Sequence, residues 1–267
     1  MSNKQDASSR TIEDFGNQWK RYPANEGYYS SIELFKDYCG PLISPKEIQG
    51  KRILEIGSGT GRIVNMLLAL GAKHIYAVEP SQSFAILKKN TSENQKRITY
   101  LNISGEQIPE MKVDLALSFG VLHHIPDPEL VVDRVYEILP RGGKFIIWLY
   151  GREGNEAYLK IFQPVREITR ILPDFLLSIL AGVLNITAVA YIKLCTITNL
   201  PQKEYMLNVF QKLDWNSRKM VIFDQLNPAY AKYYKKKEAE NLLKSSTFKN
   251  LKIFHRHNYS WTVVGEK

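Results

Sequence analysis

Between residues 51 and 150, short runs of apolar, β-favouring residues alternate with segments whose apolar positions recur every three or four residues. That alternation predicts strands joined by crossover helices, the pattern of a parallel sheet with helices on both faces. KRILEI (51–56) reads as a buried strand and Gly57 to Gly61 as a turn. The next helix puts Ile63, Leu67 and Leu70 on one face and closes at Gly71. HIYAVE (74–79), ITYLNI (98–103), VDLALSFG (113–120) and KFIIWLY (144–150) supply four more strands, and a helix runs through Leu87 after the first of these. Ahead of the fifth strand, Asp127 at a cap position and Pro128 in the first turn open a helix. Its buried stripe is Val131, Val135 and Ile138, and Pro140 with Gly142 and Gly143 ends it.

From Gly151 the pattern changes. Residues 155–222 read as several helices. A final unit follows, with a helix at Lys236 to Leu243 and strands at 251–257 and 260–265. The short Asn258-Tyr259 connection predicts an antiparallel hairpin that closes the sheet. At the other end, the first ten residues read as a disordered tail, followed by the aromatic-dense DFGNQWKRYPANEGYY and a helix around Ser31 to Tyr38. The expected organisation is one domain: an N-terminal arm (1–50), a core (51–150), a helical lid-like insertion (151–222) and the returning end of the core (223–267).

Composition narrows the class without naming a substrate. With 44% hydrophobic and 24% charged residues, the chain falls among soluble globular proteins. A net charge of +9 favours anionic partners, whether nucleic acid, phosphorylated metabolites or acidic membranes. Cys39 and Cys195 are too few and too far apart for a disulfide framework or a metal cluster, so no metal is expected and the compartment is read as reducing. The polar start, MSNKQDASSR, lacks the apolar region of a secretory signal, and the expected location is cytoplasmic. Leu176 to Ile192 is apolar, but Ser178, Gly182, Asn185 and Thr187 interrupt it, and the run falls short of the ~20 residues of a membrane span.

The candidate chemistry starts at ILEIGSGTGR (53–62), where a strand runs into a glycine-rich turn and a helix begins at once. Glycines let the backbone approach a ligand closely, and helix N-terminal N–H groups bind anionic groups. A nicotinamide-type G-x-G-x-x-G loop would put its third glycine where this chain has Arg62. Glu79 ends the second strand roughly 20 residues on, placed to accept hydrogen bonds from ribose hydroxyls.

These features resemble the class I S-adenosylmethionine-dependent methyltransferases. EIGSGTG is similar to their first motif and VEPS to their second; SGEQIP (104–109), VLHHIPDPE (121–129) and LPRGGKFII (139–147) are similar to the segments after the third strand, after the fourth and into the fifth. The resemblance is to the small-molecule branch, which includes quinone-biosynthesis and glycan or natural-product methyltransferases. It implies a Rossmann-like α/β fold: a seven-stranded, mostly parallel sheet whose last strand is antiparallel, with a helical lid. It also implies S-adenosylmethionine as cofactor and S-adenosylhomocysteine as product. By position, Glu55, Gly57, Ser58, Gly59 and Gly61 would hold the methionyl part, Glu79 the ribose, and Pro80 and Ser81 would lie beside the adenine. Ser104 stands where many relatives have an acid, so the adenine amino contact falls to Ser104, Gly105 or Glu106; Phe119 and Gly120 would line the site. The DFGNQWKRY segment is similar to a lead-in that folds over the cofactor in some relatives, which makes Gln18, Trp19 and Tyr22 lid candidates, unless they only anchor the arm. FDQLNPAYAKYY (223–234) is similar to their substrate-side segment and offers Asp224, Tyr230 and Tyr234.

Methyl transfer from a sulfonium draws much of its catalysis from proximity, and a base is needed only where the acceptor must lose a proton. His123 and His124 follow the fourth strand at the carboxyl edge of the sheet and are the candidate bases; the alternative is packing or loop capping. The expected acceptor is a small molecule, amphiphilic or sugar-linked. NPAY (227–230) is far from the position and pattern of base amino-methyltransferases, and neither cysteine is placed for cytosine chemistry, so nucleic acid is not the expected partner. The Lys-rich 231–244 stretch keeps RNA as an alternative, beside a scaffold that retained only the fold. Residues 166–200, with Arg166, Arg170 and a long apolar stretch, read as packed lid helices or as a peripheral membrane contact.

Overall fold

The computed structural model describes residues 2–169, 171–227 and 230–267; Arg170, and Pro228 and Ala229 of the NPAY tetrapeptide, lie outside them. Its centre is a seven-stranded sheet in the order β3-β2-β1-β4-β5-β7-β6. Strands β1 (Arg52–Ile56), β2 (His74–Val78), β3 (Ile98–Leu101), β4 (Leu115–Phe119) and β5 (Lys144–Tyr150) pair in parallel. β7 (Ser260–Glu266) runs antiparallel to β5 and to β6 (Lys249–Arg256), so it is the reversed strand. The β6–β7 hairpin turns through His257 and Asn258, both at positive φ, the backbone that matches the twist of paired strands.

Alternation along β5 shows how the sheet divides its two cores. Phe145, Ile147 and Leu149 face Val131, Val135 and Leu242, from α5 (Pro128–Ile138) and α10 (Lys236–Lys244). Ile146, Trp148 and Tyr150 face the opposite layer, where Phe35 and Leu67 come from α2 (Ile32–Cys39) and α3 (Arg62–Ala69). Successive strand side chains point to opposite faces, and both faces are covered, which is why these strands read as nearly continuous apolar runs. Asp127 holds the N-cap position of α5 without a side-chain capping bond. Pro128 at its first turn gives up an N–H that the helix would leave unused.

Two expectations fail. The expected tail is helical over its described residues: 2–10 form the start of α1 (Ser2–Arg21), a 20-residue helix. Thr11, Gly16 and Gln18 on its inner side are buried, so tertiary packing holds a segment whose polar composition hid it. The apolar stretch is not too short either. It belongs to α7 (Asp174–Ile197), 24 residues, which among the described residues is the helix long and apolar enough to cross a membrane by length and composition. α6 (Glu156–Thr169), α8 (Lys203–Asn208) and α9 (Trp215–Leu226) complete the helical region, and α4 (Phe84–Asn90) follows β2. α7 and α9 share a small apolar cluster of Leu177, Ala181, Phe223 and Leu226, which ties this layer to the core.

Candidate active site

A cavity opens at the carboxyl ends of β1, β2, β4 and β5, where open α/β sheets bind ligands. The turn after β1 makes its floor. Gly57 has φ +76°, and a Cβ there would run into the Val121 side chain after β4. A Cβ on Gly59 would sit 3.3 Å from the Trp19 indole nitrogen, so the loop and α1 close on each other through a position only glycine leaves open. Glu79, at the end of β2, accepts the Gly59 N–H on Oε2 at 2.8 Å and the Ser81 N–H on Oε1 at 2.9 Å. Both carboxylate oxygens are thereby fixed, and each keeps a lone pair for a ligand hydroxyl.

Glu55 is 1% exposed, and the Ser58 hydroxyl donates to its carboxylate. Burial pushes its pKa up to about 7; the Ser58 hydrogen bond opposes the shift, Glu79 nearby adds to it, and Arg62 opposes it. Two buried carboxylates at one cavity wall suit a ligand that brings positive charge and hydroxyls together. The methionyl ammonium, sulfonium and ribose of S-adenosylmethionine fit that donor set.

α1 is the roof. Ser8, Thr11, Ile12, Phe15 and Trp19 line the cavity from above. Gln18 donates to Asp224 Oδ1 at 2.9 Å, and Tyr150, the last residue of β5, donates to Asp224 Oδ2 at 2.8 Å. Asn25, past the end of α1, exchanges hydrogen bonds with Thr60 through its side-chain amide. The helix, the sheet and α9 therefore meet at one carboxylate.

The two histidines separate. His124 lines the cavity, and its Nδ1 lies 2.8 Å from the Tyr230 carbonyl. A carbonyl only accepts, so Nδ1 carries the proton and Nε2 is left as the basic nitrogen. Burial lowers the His124 pKa, against Asp224 and the Tyr230 carbonyl, so the ring is neutral near pH 7. His123 is fully buried and does not line the cavity; its ring packs 3.9 Å from the Tyr150 ring, and among the described residues neither nitrogen has a hydrogen-bond partner. Burial holds its pKa well below the ordinary imidazole value.

Of the other residues singled out by the sequence, Ser58, Pro80, Ser81, Ser104, Gly105, Glu106, Phe119, Gly120 and Asp224 line the same cavity. Gly61 does not; it packs against Leu87 and Thr91 where α3 begins. Tyr22 packs edge-on to Phe223 beside α7, and Tyr230 meets the site through its backbone. Tyr234 is 2% exposed in the core behind the sheet, where its carbonyl accepts from the Trp261 indole. Arg62, Tyr29, Tyr150, Tyr205 and Tyr259 line the cavity and were not singled out as site residues. For Tyr150 the signal was present, because it ends a strand at the carboxyl edge. Tyr205 and Tyr259 arrive from segments with no local mark.

A glycine turn, a strand-end acid and this strand order define the class I methyltransferase architecture. Residues 54–147 match the methyltransferase domain family. Among curated relatives, the tRNA U34 carboxymethyltransferase of Idiomarina loihiensis is 24% identical over 148 residues, covering 52% of this chain and 46% of the relative. The enzyme of that name from Vibrio cholerae is 31% identical over 148 residues, covering 52% and 45%. The chain thus spans less than half the length of these relatives. Solved structures match over more of the chain. A Thermotoga maritima methyltransferase described as a possible histamine N-methyltransferase is 18% identical, covers 94% of this chain and 95% of its own, and has a TM-score of 0.54. Magnesium protoporphyrin IX methyltransferase from Synechocystis PCC 6803, with bound S-adenosylhomocysteine, is 13% identical, covers 94% and 93%, and has a TM-score of 0.54. Residues 54–147 are thus similar to a methyltransferase domain, and the chain shares its fold with these methyltransferases.

Proposed function

We propose that the protein methylates a small-molecule acceptor held between the α1 roof, α9 and the ends of β4 and β5, with His124 as the proton-accepting group. The carrying observation is the His124 tautomer, fixed by the Tyr230 carbonyl with the ring at the cavity wall. Bound S-adenosylmethionine supplies a methyl group already activated on a sulfonium. Glu79 would take the ribose hydroxyls, Glu55, Gly57, Ser58 and Gly59 would surround the methionyl end, and Pro80, Ser81, Ser104, Gly105 and Glu106 would border the adenine. Trp19 closes over Gly59, and Phe119 with Gly120 lines the wall beneath.

The chain's own residues then have three tasks. Phe15, Tyr38, Trp148 and Tyr205 exclude water from the reacting centre. Asp224, held by Gln18 and Tyr150, orients a donor group of the acceptor. His124 Nε2 accepts the acceptor's proton, and the imidazolium formed is favoured by the Asp224 charge and by the Tyr230 carbonyl on Nδ1–H. His123 supports this geometry by packing and makes no contact with the cavity.

The test compares His124→Ala with His123→Ala in a labelled-methyl assay over small-molecule extracts. We expect His124→Ala to lose on the order of 10²–10⁴ in kcat, with S-adenosylmethionine binding retained. The wild-type rate should rise with pH along a limb below the ordinary histidine pKa, because burial lowers His124, and His124→Ala should lose that limb. Unchanged transfer by His124→Ala would remove the base.

A second reading, methylation of RNA, draws on the curated relatives named as tRNA enzymes and on the net charge of +9. Those relatives extend well beyond the shared segment, and the aromatic cavity roofed by α1 favours the small-molecule reading.

A further inference from the structure

α7 is amphipathic in an unusual sense: both of its faces are apolar, and only one is covered. Leu177, Ala181, Asn185 and Cys195 are buried against the protein. Phe175, Ile179, Val183, Ile186, Val189 and Ile197 stand in solvent, Ile186 with 63% and Ile197 with 77% exposed. At ~100° per residue these six fill an arc of about 120° opposite the buried four. Ile171, 74% exposed, extends the patch past the helix start. A continuous apolar surface of this extent marks an interaction site.

Crossing a bilayer is opposed by the covered face. Midway along α7, Asn185 donates to the Trp215 carbonyl at 3.0 Å and accepts from Arg218 Nε at 3.2 Å, and Leu177 and Ala181 pack on Phe223 and Leu226 of α9. A spanning α7 would carry this helix and its guanidinium into hydrocarbon. Lying in the interface plane leaves those contacts intact and immerses only the outer arc.

The charges around the patch select the partner. Between residues 175 and 197 the charged residue is Lys193, which is exposed. Lys219 reaches alongside Gly182, while Arg21 is paired with Asp174 at the helix start and Arg218 is bonded to Asn185 on the covered face. Lys193 falls on the outer arc near its C-terminal end, and Lys219 lies beside the arc. Long lysine stems let their ammonium groups reach anionic headgroups above an immersed apolar face, and the net charge of +9 acts in the same direction. The arc is also wider than the seam that pairing with a second copy of the helix requires.

We propose that α7 docks the protein in the plane of an anionic phospholipid bilayer. α9 packs on α7 and presents Val221, Asp224 and Gln225 to the cavity, so docking puts the site behind two helix layers, ~20 Å from the lipid. On the reading of the site given above, the acceptor then comes from the membrane surface and is amphiphilic.

The test is co-sedimentation of the full chain with phosphatidylcholine vesicles, with and without three-tenths phosphatidylglycerol. The Ile179→Glu, Ile186→Glu double variant is run beside the wild type, with oligomeric mass from light scattering and S-adenosylmethionine binding from calorimetry. The wild type should pellet with the anionic vesicles, and the double variant should pellet on the order of tenfold less while binding the cofactor equally well. Wild type that stays in the supernatant, or a variant that pellets like wild type, overturns the proposal. A wild-type dimer that the double variant turns into a monomer assigns the face to self-association instead. Failure to bind S-adenosylmethionine would count against the site reading alone, because the vesicle result does not depend on it.

Discussion

Glu55 ties the electrostatics of the cavity to its ligand. With its pKa raised to about 7, chiefly by burial, the ligand-free protein holds a proton there that the unfolded chain loses near the ordinary carboxyl value. Between those two values stability falls as pH rises, because ionisation is more costly in the folded state. A cationic ligand reverses the preference by pairing with the ionised form. Affinity for S-adenosylmethionine should therefore rise from pH 6 to pH 7.5, and Glu55→Gln should flatten that dependence; calorimetry across the range decides it. The glycines permit a second residue-level prediction. Gly57 and Gly142 have the same φ, +76°, but a Cβ at 57 meets Val121 whereas one at 142 meets nothing within 4 Å. Both alanine variants pay for the left-handed backbone, roughly 1–2 kcal/mol. Gly57→Ala should cost a further ~1–3 kcal/mol for overpacking, read as the difference between the two in urea unfolding.

Among the elements, α1 governs access. It holds the indole of Trp19 on the glycine turn and the ring of Phe15 4.7 Å from the His124 ring, and it is pinned by Gln18 to Asp224 and by Arg21 to the start of α7. Trp19 is half-buried, so removing it should disturb the roof more than the fold. We expect Trp19→Ala to weaken cofactor binding about tenfold, by calorimetry, with little change in Tm. α1 also shows what a sequence hides. Its first ten residues carry no apolar periodicity, and the buried positions that anchor the helix, Thr11, Gly16 and Gln18, are polar or glycine. β5, by contrast, was legible from Lys144 to Tyr150, because both of its faces are buried and glycines precede it. The glycine turn and Glu79 were legible for a similar reason: a short contiguous motif creates the geometry. The Gln18–Asp224–Tyr150 junction was not, because it joins three segments far apart in the chain and none is unusual alone. Gly61 and Tyr234 err the other way: they sit inside matching segments, but their environment is structural, one at a helix start and the other in the core.

At the scale of the whole molecule, net charge and cavity shape point to different partners, and their consequences can be separated. A chain of charge +9 attracts polyanions whatever its cavity accepts. Attraction of that kind comes from displaced counterions, so it weakens steeply with salt and is indifferent to sequence. On the proposed reading, transfer of a methyl group instead requires the acceptor atom to reach His124 at the cavity wall, where the Phe15 and Tyr150 rings pack against it. Bulk tRNA should therefore bind at low salt, lose orders of magnitude in affinity between 50 and 200 mM salt if several phosphates are engaged, and gain no labelled methyl groups. Filter binding gives the salt slope, and scintillation counting of recovered tRNA gives the incorporation. Label in tRNA at 150 mM salt, lost in His124→Ala, would mean that the roof opens wide enough for a flipped nucleotide, and the RNA reading would replace the small-molecule one. Binding without label leaves the charge free to serve the lipid surface, where an exposed apolar helix carrying Lys193 gives it a use that the cavity does not.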